Sequence, residues 1–311
     1  MQELETAISR IKEYENQSKS VRVNAFYGMN LLLKRLLKLP KWIPFEYSTY
    51  IEHSIPYDVN NIEFIKKKQK DLLLVNTKER KKIIYNSLNK KSYVLGPLFV
   101  HYRRINNIFP DPDRTGTLVF PVHSTHLIKS ECNWDEYAEQ LLSLDNKFKP
   151  ITICFYWKNI LDGDHLPFQK RGFKITTAGH IYDPNFCINF YSLLRKYKFT
   201  SSNKFASPIV YSLEMGIPHF HYGPESNYKY YELTKKDDFT DVENKINIDK
   251  ILIEYYKLFK LNDIPTINSS QLEWLDQFID EKNWEDLNFI RKKVYRSFFP
   301  VLIKKLIPFL K

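Results

Sequence analysis

Short apolar runs alternate with amphipathic segments along this chain, a pattern typical of parallel β-strands joined by helices. In the second half the apolar runs are Thr117 to Val122, Ile151 to Tyr156, Phe173 to Thr177, Lys198 to Ser201 and Ile217 to Tyr222. Helical periodicity between them covers Trp134 to Leu144, Pro184 to Tyr197 and Ala206 to Met215. This alternation predicts a doubly wound parallel sheet.

A shorter strand-helix-strand unit precedes this sheet. Its predicted elements are a strand over Asp71 to Val75, a helix over Lys78 to Leu88 and a strand over Ser92 to Pro97, with helices upstream over Gln2 to Ser18 and Met29 to Leu39. The proline-rich segment Asn106 to Gly116 is the best candidate for a linker. We therefore predict an α/β protein with two Rossmann-like parallel-sheet domains that face a cleft. The first covers residues 1–115, the second covers 116–265, and C-terminal helices cover 266–311.

Composition agrees with a globular protein, because 43% of the 311 residues are hydrophobic and 27% are charged. The three cysteines share no metal-ligand spacing, which fits a reducing compartment. No basic segment leads into an apolar stretch near the first residue, and no apolar stretch has the length of a membrane span. These features predict a cytoplasmic protein.

The net charge of +11 calls for an anionic partner, or reflects a codon bias towards lysine. Seven basic residues and no acidic ones lie among aliphatic and aromatic residues from Arg291 to Lys311, and a similar stretch runs from Leu31 to Lys41. Such segments either lie on an anionic membrane surface or dock their apolar side on the protein core. Having two of them favours the membrane, at the inner face of the cytoplasmic membrane. Nucleic acid is disfavoured because no recognised binding motif is present.

Polar side chains follow each strand of the predicted second sheet. The residues at these strand ends are His123, Ser124, Thr125 and His126 for the first strand, Trp157, Lys158 and Asn159 for the second, Ala178, Gly179 and His180 for the third, Ser201, Ser202 and Asn203 for the fourth, and Gly223 to Asn227 for the fifth. Ligands of open parallel sheets bind beyond the carboxyl ends of the strands. The sequence therefore predicts a binding site at this edge.

The residue types at this edge suit a phosphate-bearing ligand. The residues from Ser201 to Asn203 offer donors at the start of a predicted helix, although an ordinary N-cap is the alternative. His123, His126 and Lys158 offer positive charge or a proton to a leaving phosphate. We expect no metal ion, because the Asp-x-Asp matches at Asp111 and Asp162 lie in turn-prone loops where Asp is common. No dinucleotide fingerprint, P-loop or nucleophile elbow is present.

The run from Phe199 to Pro218 resembles the donor-binding segment of GT-B glycosyltransferases, and Glu214 to Pro218 matches its Glu-(small or Met)-Gly-x-Pro portion. The resemblance implies that Glu214 holds the ribose hydroxyls of a nucleotide. It also implies that Ser201, Ser202 and Ser207 contact phosphate or a sugar carboxylate.

The His-Ser-Thr-His element at His123 and the Ala-Gly-His element at His180 look like those of bacterial capsule and lipopolysaccharide enzymes that use CMP- or UDP-linked sugars. Ala206 stands where retaining GT-B families carry the first acid of a Glu-x7-Glu pair, which favours CMP-sugar-like or divergent members.

In such enzymes the acceptor base comes from the N-terminal domain, where Glu52 and His53 are the candidates. The resemblance implies a nucleotide-sugar donor, a glycan or lipid-linked glycan acceptor and no other cofactor. Two further hypotheses remain open at this point. The first is a transferase that moves an alditol phosphate from a cytidine nucleotide, and the second is a non-catalytic module that anchors a polysaccharide-assembly complex at the membrane.

Overall fold

A computed structural model describes residues 2–17, 23–53, 55, 65, 70–125, 128–230, 245–261 and 263–306. The first of its two parallel sheets has three strands in the order β1-β2-β3, namely Thr49–Ile51, Leu72–Val75 and Ser92–Val94. All four residues of β2 are buried. A central strand covered on both faces reads as a continuous apolar run, which is why this strand was predictable.

The second parallel sheet has five strands in the order β7-β6-β4-β8-β9. Their bounds are β4 Thr117–Val119, β6 Ile151–Cys154, β7 Lys174–Thr176, β8 Phe199–Ser202 and β9 His219–His221. Along the chain these are the third, second, first, fourth and fifth strands of the sheet, which is the order of the doubly wound dinucleotide-binding fold. The predicted α/β class and doubly wound topology are therefore confirmed. The direction of winding changes between β4 and β8.

Helices precede, connect and follow the strands. Their bounds are α1 Gln2–Gln17, α2 Met29–Leu36, α3 Lys78–Leu88, α4 Leu98–Ile105, α5 Trp134–Leu142, α6 Trp157–Asp162, α7 Leu166–Lys170, α8 Phe186–Leu194, α9 Ser207–Glu214, α10 Lys245–Phe259, α11 Ser269–Ile279 and α12 Leu287–Leu306. The hydrophobic pattern did not predict α4, α6 and α7. These short helices lie close to a predicted strand in the sequence, so their apolar residues do not form a helical period of their own.

A two-stranded antiparallel ribbon was also missed. It pairs β5 Ile128–Cys132 with β10 Ser226–Tyr230, from Ser226 opposite Cys132 to Tyr230 opposite Ile128. The two strands follow the loops after β4 and β9, so the ribbon lies beyond the carboxyl edge of the five-stranded sheet. Most of its residues are polar, so neither strand carries the apolar signal of a buried strand.

Two hydrophobic clusters cover the two faces of the five-stranded sheet. Neighbouring residues of β4 point to opposite faces, with Leu118 in one cluster and Val119 in the other. The Leu118 cluster includes Ile209 of α9, whereas the Val119 cluster includes Phe168 of α7. Helices therefore cover both faces and leave the carboxyl edge for the loops.

Both basic segments pack part of their apolar residues on the core, as the alternative to a membrane surface predicts, and the membrane location itself remains a prediction. Ile290, Val294 and Phe298 of α12 recur every four residues and are at most 2% exposed. Leu32, Leu33 and the other inward leucines of α2 are buried in the same cluster. Val294, Phe298 and the inward leucines of α2 are thus used within the protein, whereas Phe299 is 50% exposed and Leu31 is 40% exposed. Residues 307–311 lie outside the described part. None of the described helices has the length and apolar character needed to cross a bilayer.

Several contacts join the N-terminal unit to the second sheet. Glu214 at the end of α9 accepts hydrogen bonds from Arg103 Nε at 2.6 Å and Arg104 Nε at 2.9 Å, both on α4. Helix α11 packs on α9, whereas α12 packs on β1 and β2 of the first sheet. The predicted linker is hydrogen-bonded to Arg195, directly after α8: Asp111 N donates to Arg195 O, and Asp111 Oδ1 accepts from Arg195 Nε. The domain limits at 115 and 265 remain predictions.

We predict that Ile290→Ala lowers the free energy of unfolding by about 2–5 kcal/mol, because it removes a fully buried side chain from the contact between α12 and the core. Lys292→Ala on the exposed side of the same helix is the matched control and should change it by less than about 0.5 kcal/mol. Urea unfolding of the full chain measures both. Equal, small effects would show that α12 does not pack on the core.

Candidate functional site

The carboxyl ends of the two sheets meet at the segment Val23–Gly28, which precedes α2. Tyr27 adopts a left-handed conformation, with φ of 57°, and its N–H donates to Ile181 O at 2.6 Å in the loop after β7. Gly28 has φ of 72°, and a Cβ at this position would lie 2.4 Å from Pro184 O. Only glycine allows this approach.

Aromatic and histidine rings fill this meeting point, and we call His53, Phe26, Tyr27, Tyr156 and His123 the junction cluster. The His53 ring lies 5.2 Å from Phe26, and the hydroxyl groups of Tyr27 and Tyr156 are 3.3 Å apart. The Tyr156 ring is 4.7 Å from that of His123. His53, which follows β1, is thus connected to His123, which follows β4, through Tyr27 and Tyr156. Tyr27 and Tyr156 had no predicted role.

His123 has the protonation state that a general base requires. Burial lowers the pKa of His123, and its contact with Ser124 O only partly opposes this shift. The ring is therefore neutral near pH 7 and able to accept a proton. His126 lies outside the described residues, so its predicted role has no structural counterpart.

Glu52, the other predicted base, lies in a buried ion pair of the first unit. Its Oε1 accepts from Arg80 Nε at 2.7 Å, and its Oε2 accepts from Asn76 N at 2.9 Å. The side chain of Glu52 is 4% exposed. Both oxygens are thus engaged in positioning the loop after β2, and catalysis by Glu52 remains a prediction.

Three polar residues, Ser201, Ser202 and Asn203, lie at the end of β8 and directly after it. Ser202 and Asn203 are hydrogen-bonded to other parts of the protein. Ser202 Oγ donates to Lys204 O at 2.9 Å and lies 3.0 Å from Tyr255 OH of α10. Asn203 Oδ1 accepts from Val122 N at 2.8 Å. Ser201 differs, because its Oγ is buried and has no hydrogen-bond partner among the described residues. Ser201 lies on β8, opposite Val119 of β4, at the point where the winding of the sheet reverses.

A buried hydroxyl and imidazole network lies behind Ser202. His219 Nδ1 is 3.1 Å from Thr200 Oγ1, and His219 Nε2 is 3.2 Å from Tyr255 OH. Tyr255 OH also lies 3.4 Å from His221 Nδ1. The network fixes α10 against β8 and β9.

Lys204 is a cation of this edge that the sequence analysis missed. Its Nζ donates to Ser226 O at 2.9 Å and lies 4.3 Å above the ring of Tyr228 on β10. Burial lowers the pKa of Lys204, and the carboxylate of Glu225 opposes this shift. The available signal was a lysine directly after the polar end of β8. An anion beside Lys204 would be favoured, because it would stabilise a partly desolvated charge.

Lys158, His180 and Ser207 lie around this edge without converging on one point, whereas Glu214 ends α9, towards the amino edge of the sheet. Lys158 Nζ pairs with Asp162 Oδ1 at 2.9 Å within α6. His180 Nε2 is 3.1 Å from Glu15 Oε2 of α1. Ser207 Oγ accepts from Ile55 N at 3.1 Å, which links α9 to the first unit. Both oxygens of Glu214 accept from arginines of α4, so its predicted ribose contact competes with this ion pair.

Within the described residues, no group of three or more His, Cys, Asp or Glu side chains is arranged to hold a metal ion. Three of the four acidic residues of the Asp-x-Asp matches have protein partners. Asp111 pairs with Arg195, Asp162 pairs with Lys158, and Asp164 accepts from Asn159 Nδ2. Metal independence remains a prediction.

No protein-family model and no curated protein sequence matches this chain. Among solved structures, it is similar to a chain of the Glycosylation Associate Protein (Gap123) complex from Streptococcus agalactiae, with 11% identity and a TM-score of 0.35 over 80% of this chain. It covers 48% of that chain, or about half its length.

Two further solved structures show a similar degree of likeness. The S. aureus MnaA-UDP co-structure has 9% identity and a TM-score of 0.35 over 82% of this chain and 79% of its own. A putative UDP-N-acetylglucosamine 2-epimerase from Listeria monocytogenes has 11% identity and a TM-score of 0.33 over 86% and 77%. Likeness at this distance carries no argument about activity.

We predict that stability falls as the pH is lowered from about 6.5 towards 4. Burial lowers the pKa of His221 to about 4, whereas an unfolded histidine titrates near 6.5. Between these values the unfolded chain binds a proton that the folded chain does not, so the free energy of unfolding decreases with falling pH. In His221→Asn this dependence should be shallower between pH 6.5 and 5, as measured by urea unfolding. An effect of His221→Asn that is the same at every pH would contradict the prediction.

Proposed function

We propose that the protein is a glycosyltransferase that binds a nucleotide-sugar donor at the carboxyl edge of the five-stranded sheet, beside the reversal between β4 and β8. One observation carries the proposal. The doubly wound strand order places the loops after β4 and β8 side by side, and the loop after β1 reaches the same region through the junction cluster. A donor bound by the second sheet would thus lie near residues of the first unit, as transfer to an acceptor requires.

Ser201 and Lys204 are the groups best placed for the donor phosphates. Ser201 Oγ is a buried hydroxyl without a described hydrogen-bond partner, and Lys204 is a partly desolvated cation two residues after β8. Helix α9 begins three residues after Lys204 and has no side-chain hydrogen bond at its N-cap. Hydroxyl and ammonium donors near a helix start form a favourable environment for phosphate oxygens. Ser202 and Asn203 would shape the loop and need not touch the ligand.

His123 is the candidate general base. A neutral imidazole can remove the proton of an acceptor hydroxyl as the new glycosidic bond forms, while the nucleotide leaves with the electrons of the broken bond. The charge that develops on the leaving phosphate would be stabilised by Lys204. His53 lies across the junction cluster and would help to position the acceptor.

A specific observation favours the non-catalytic alternative. Glu52, Ser202 and Glu214, three residues with predicted roles in binding or catalysis, are all engaged in hydrogen bonds or ion pairs within the protein. An anchoring module would keep such contacts for stability alone. Nucleotide binding separates the two hypotheses, because an anchoring module has no reason to bind a donor.

We predict that CMP or UDP raises the melting temperature of the protein and does so without Mg²⁺. A ligand that binds only the folded state must stabilise it. A screen of CMP, CDP, UDP, GDP and ADP with and without Mg²⁺ tests this prediction by thermal shift.

In Lys204→Ala the affinity for the nucleotide should fall about 10- to 100-fold, the range for losing a charged hydrogen bond. Lys147→Ala, before the amino end of β6, is the matched control and should bind as the parent does. If no nucleotide binds at millimolar concentration, the donor site is wrong.

We predict that His123→Asn lowers kcat about 10²- to 10⁴-fold with the nucleotide-sugar identified by the screen, because a general base contributes a factor of this size. Nucleotide binding in the thermal-shift assay should be unchanged, since His123 acts on the acceptor. The parent kcat should fall as the pH drops below the lowered pKa of His123. Unchanged turnover in a folded His123→Asn protein would exclude this role.

A further inference from the structure

An open cavity of about 270 Å³ lies between α1 and the loop after β7. It is lined by residues of α1, of the segment from Thr177 to Asp183 and of α8 and its C-terminal end. Ile11 and Leu193 are the apolar part of its wall. Ile11 is 1% exposed, so α1 is packed against the protein at this point. The volume is close to the lower limit for a small-molecule site and suits one sugar ring.

Two cations from different elements converge on this cavity. Arg10 reaches it from α1, and Lys196 reaches it from the residues that follow α8. Neither of them has an ion pair within the part of the chain that the structure describes. Asp183 is the carboxylate among the lining residues and accepts from Asn185 N at 2.8 Å, so it offsets one of the two cations. The cavity therefore has an excess of positive charge, which favours an anionic occupant.

The other lining groups suit the hydroxyls and the ring of a sugar. Asn189, Ser192 and Thr177 bring amide and hydroxyl groups to the wall. Tyr14 presents an aromatic ring that is stacked on His180 at 5.8 Å with an angle of 6° between the planes. The His180 ring is fixed in turn, since its Nδ1 accepts from Tyr182 N at 3.2 Å. A rigid aromatic face with nearby amides and hydroxyls binds a flat apolar surface that carries polar edges.

We infer that this cavity binds an acidic sugar residue of the acceptor, one that carries a carboxylate or a phosphate. This inference rests on the proposed glycosyltransferase function and names the class of acceptor. The His180 ring forms one wall of the cavity and lies 4.2 Å from Trp157, whose neighbour Tyr156 belongs to the junction cluster. Three successive ring contacts, from His180 through Trp157 and Tyr156, thus connect this cavity to His123. His180, expected from the sequence at the nucleotide-sugar site, would then contact the acceptor, and the donor stays at Ser201 and Lys204.

Binding of four probes to the full chain tests the inference: D-glucuronate, D-glucose 6-phosphate, D-glucose and inorganic phosphate. Isothermal titration calorimetry at low ionic strength measures each dissociation constant. We expect at least one of the two acidic sugars to bind more tightly than glucose and phosphate, because only an acidic sugar uses both the cations and the aromatic face. Preference for glucuronate or for glucose 6-phosphate identifies the anionic group as carboxylate or phosphate.

Arg10→Gln and Lys196→Gln should each weaken binding of the preferred acidic sugar about 2- to 5-fold, the range for a partly exposed charge pair. The matched controls are Lys12→Gln on α1 and Lys198→Gln beyond α8, which remove nearby exposed charges that do not line the cavity. Nucleotide binding by thermal shift should be the same in all four variants. Equal affinity for glucose and the acidic sugars would overturn the inference, as would equal effects of the cavity and control variants. If the parent binds a nucleotide but none of the sugars, the inference fails while the donor site stands; if it binds no nucleotide, the proposed function fails.

Discussion

The close contact between the segment Val23–Gly28 and the loop after β7 constrains how the two sheets meet. At Gly28 the backbones come so near that a Cβ would lie 2.4 Å from Pro184 O, and Tyr27 N donates to Ile181 O directly beside it. Hydrogen bonds and packing at such a distance allow little sliding of one surface over the other. The separation of His53 from His123 follows from this contact, because both rings pack on residues that it holds in place.

A buried ion pair between α9 and α4 also constrains how the first unit lies against the second sheet. Glu214 is 4% exposed and lies between two arginines of α4, while α12 returns from the far end of the chain to pack on the first sheet. A buried ion pair contributes little net stability, because desolvation of both partners opposes their attraction. Its main effect here is on specificity, since any other placement of α4 against α9 would leave the carboxylate or the guanidinium groups unpaired. The buried Ile290, Val294 and Phe298 of α12 add apolar contacts to this placement.

Much of the fold could be predicted from sequence, because strands buried on both faces must be apolar throughout. The strand at Leu72–Val75 and the helix at Lys78–Leu88 were located to within a residue. The ribbon of β5 and β10 could not be predicted, since its two strands are almost a hundred residues apart and mostly polar. The edge of the sheet that carries the polar loops was also predictable from the alternation of strands and helices. Which polar residues pair with each other could not be predicted, because partners such as Glu214 and Arg103 are 111 residues apart in the sequence.

Polar residues after parallel strands therefore have two uses, and only one of them is ligand binding. Asn203 and Ser202 tie the loops of the carboxyl edge to each other and to α10, so their presence there follows from the need to satisfy buried polar groups. Such residues set the shape of the edge and leave few groups for a ligand. Two groups at this edge differ from them: the hydroxyl of Ser201 lacks a described partner, and the charge of Lys204 is partly desolvated. Each condition costs free energy, which a phosphate oxygen bound beside that group would offset. At the carboxyl edge, a polar group that lacks a partner within the protein is thus a better candidate for ligand binding than one whose hydrogen bonds are already made.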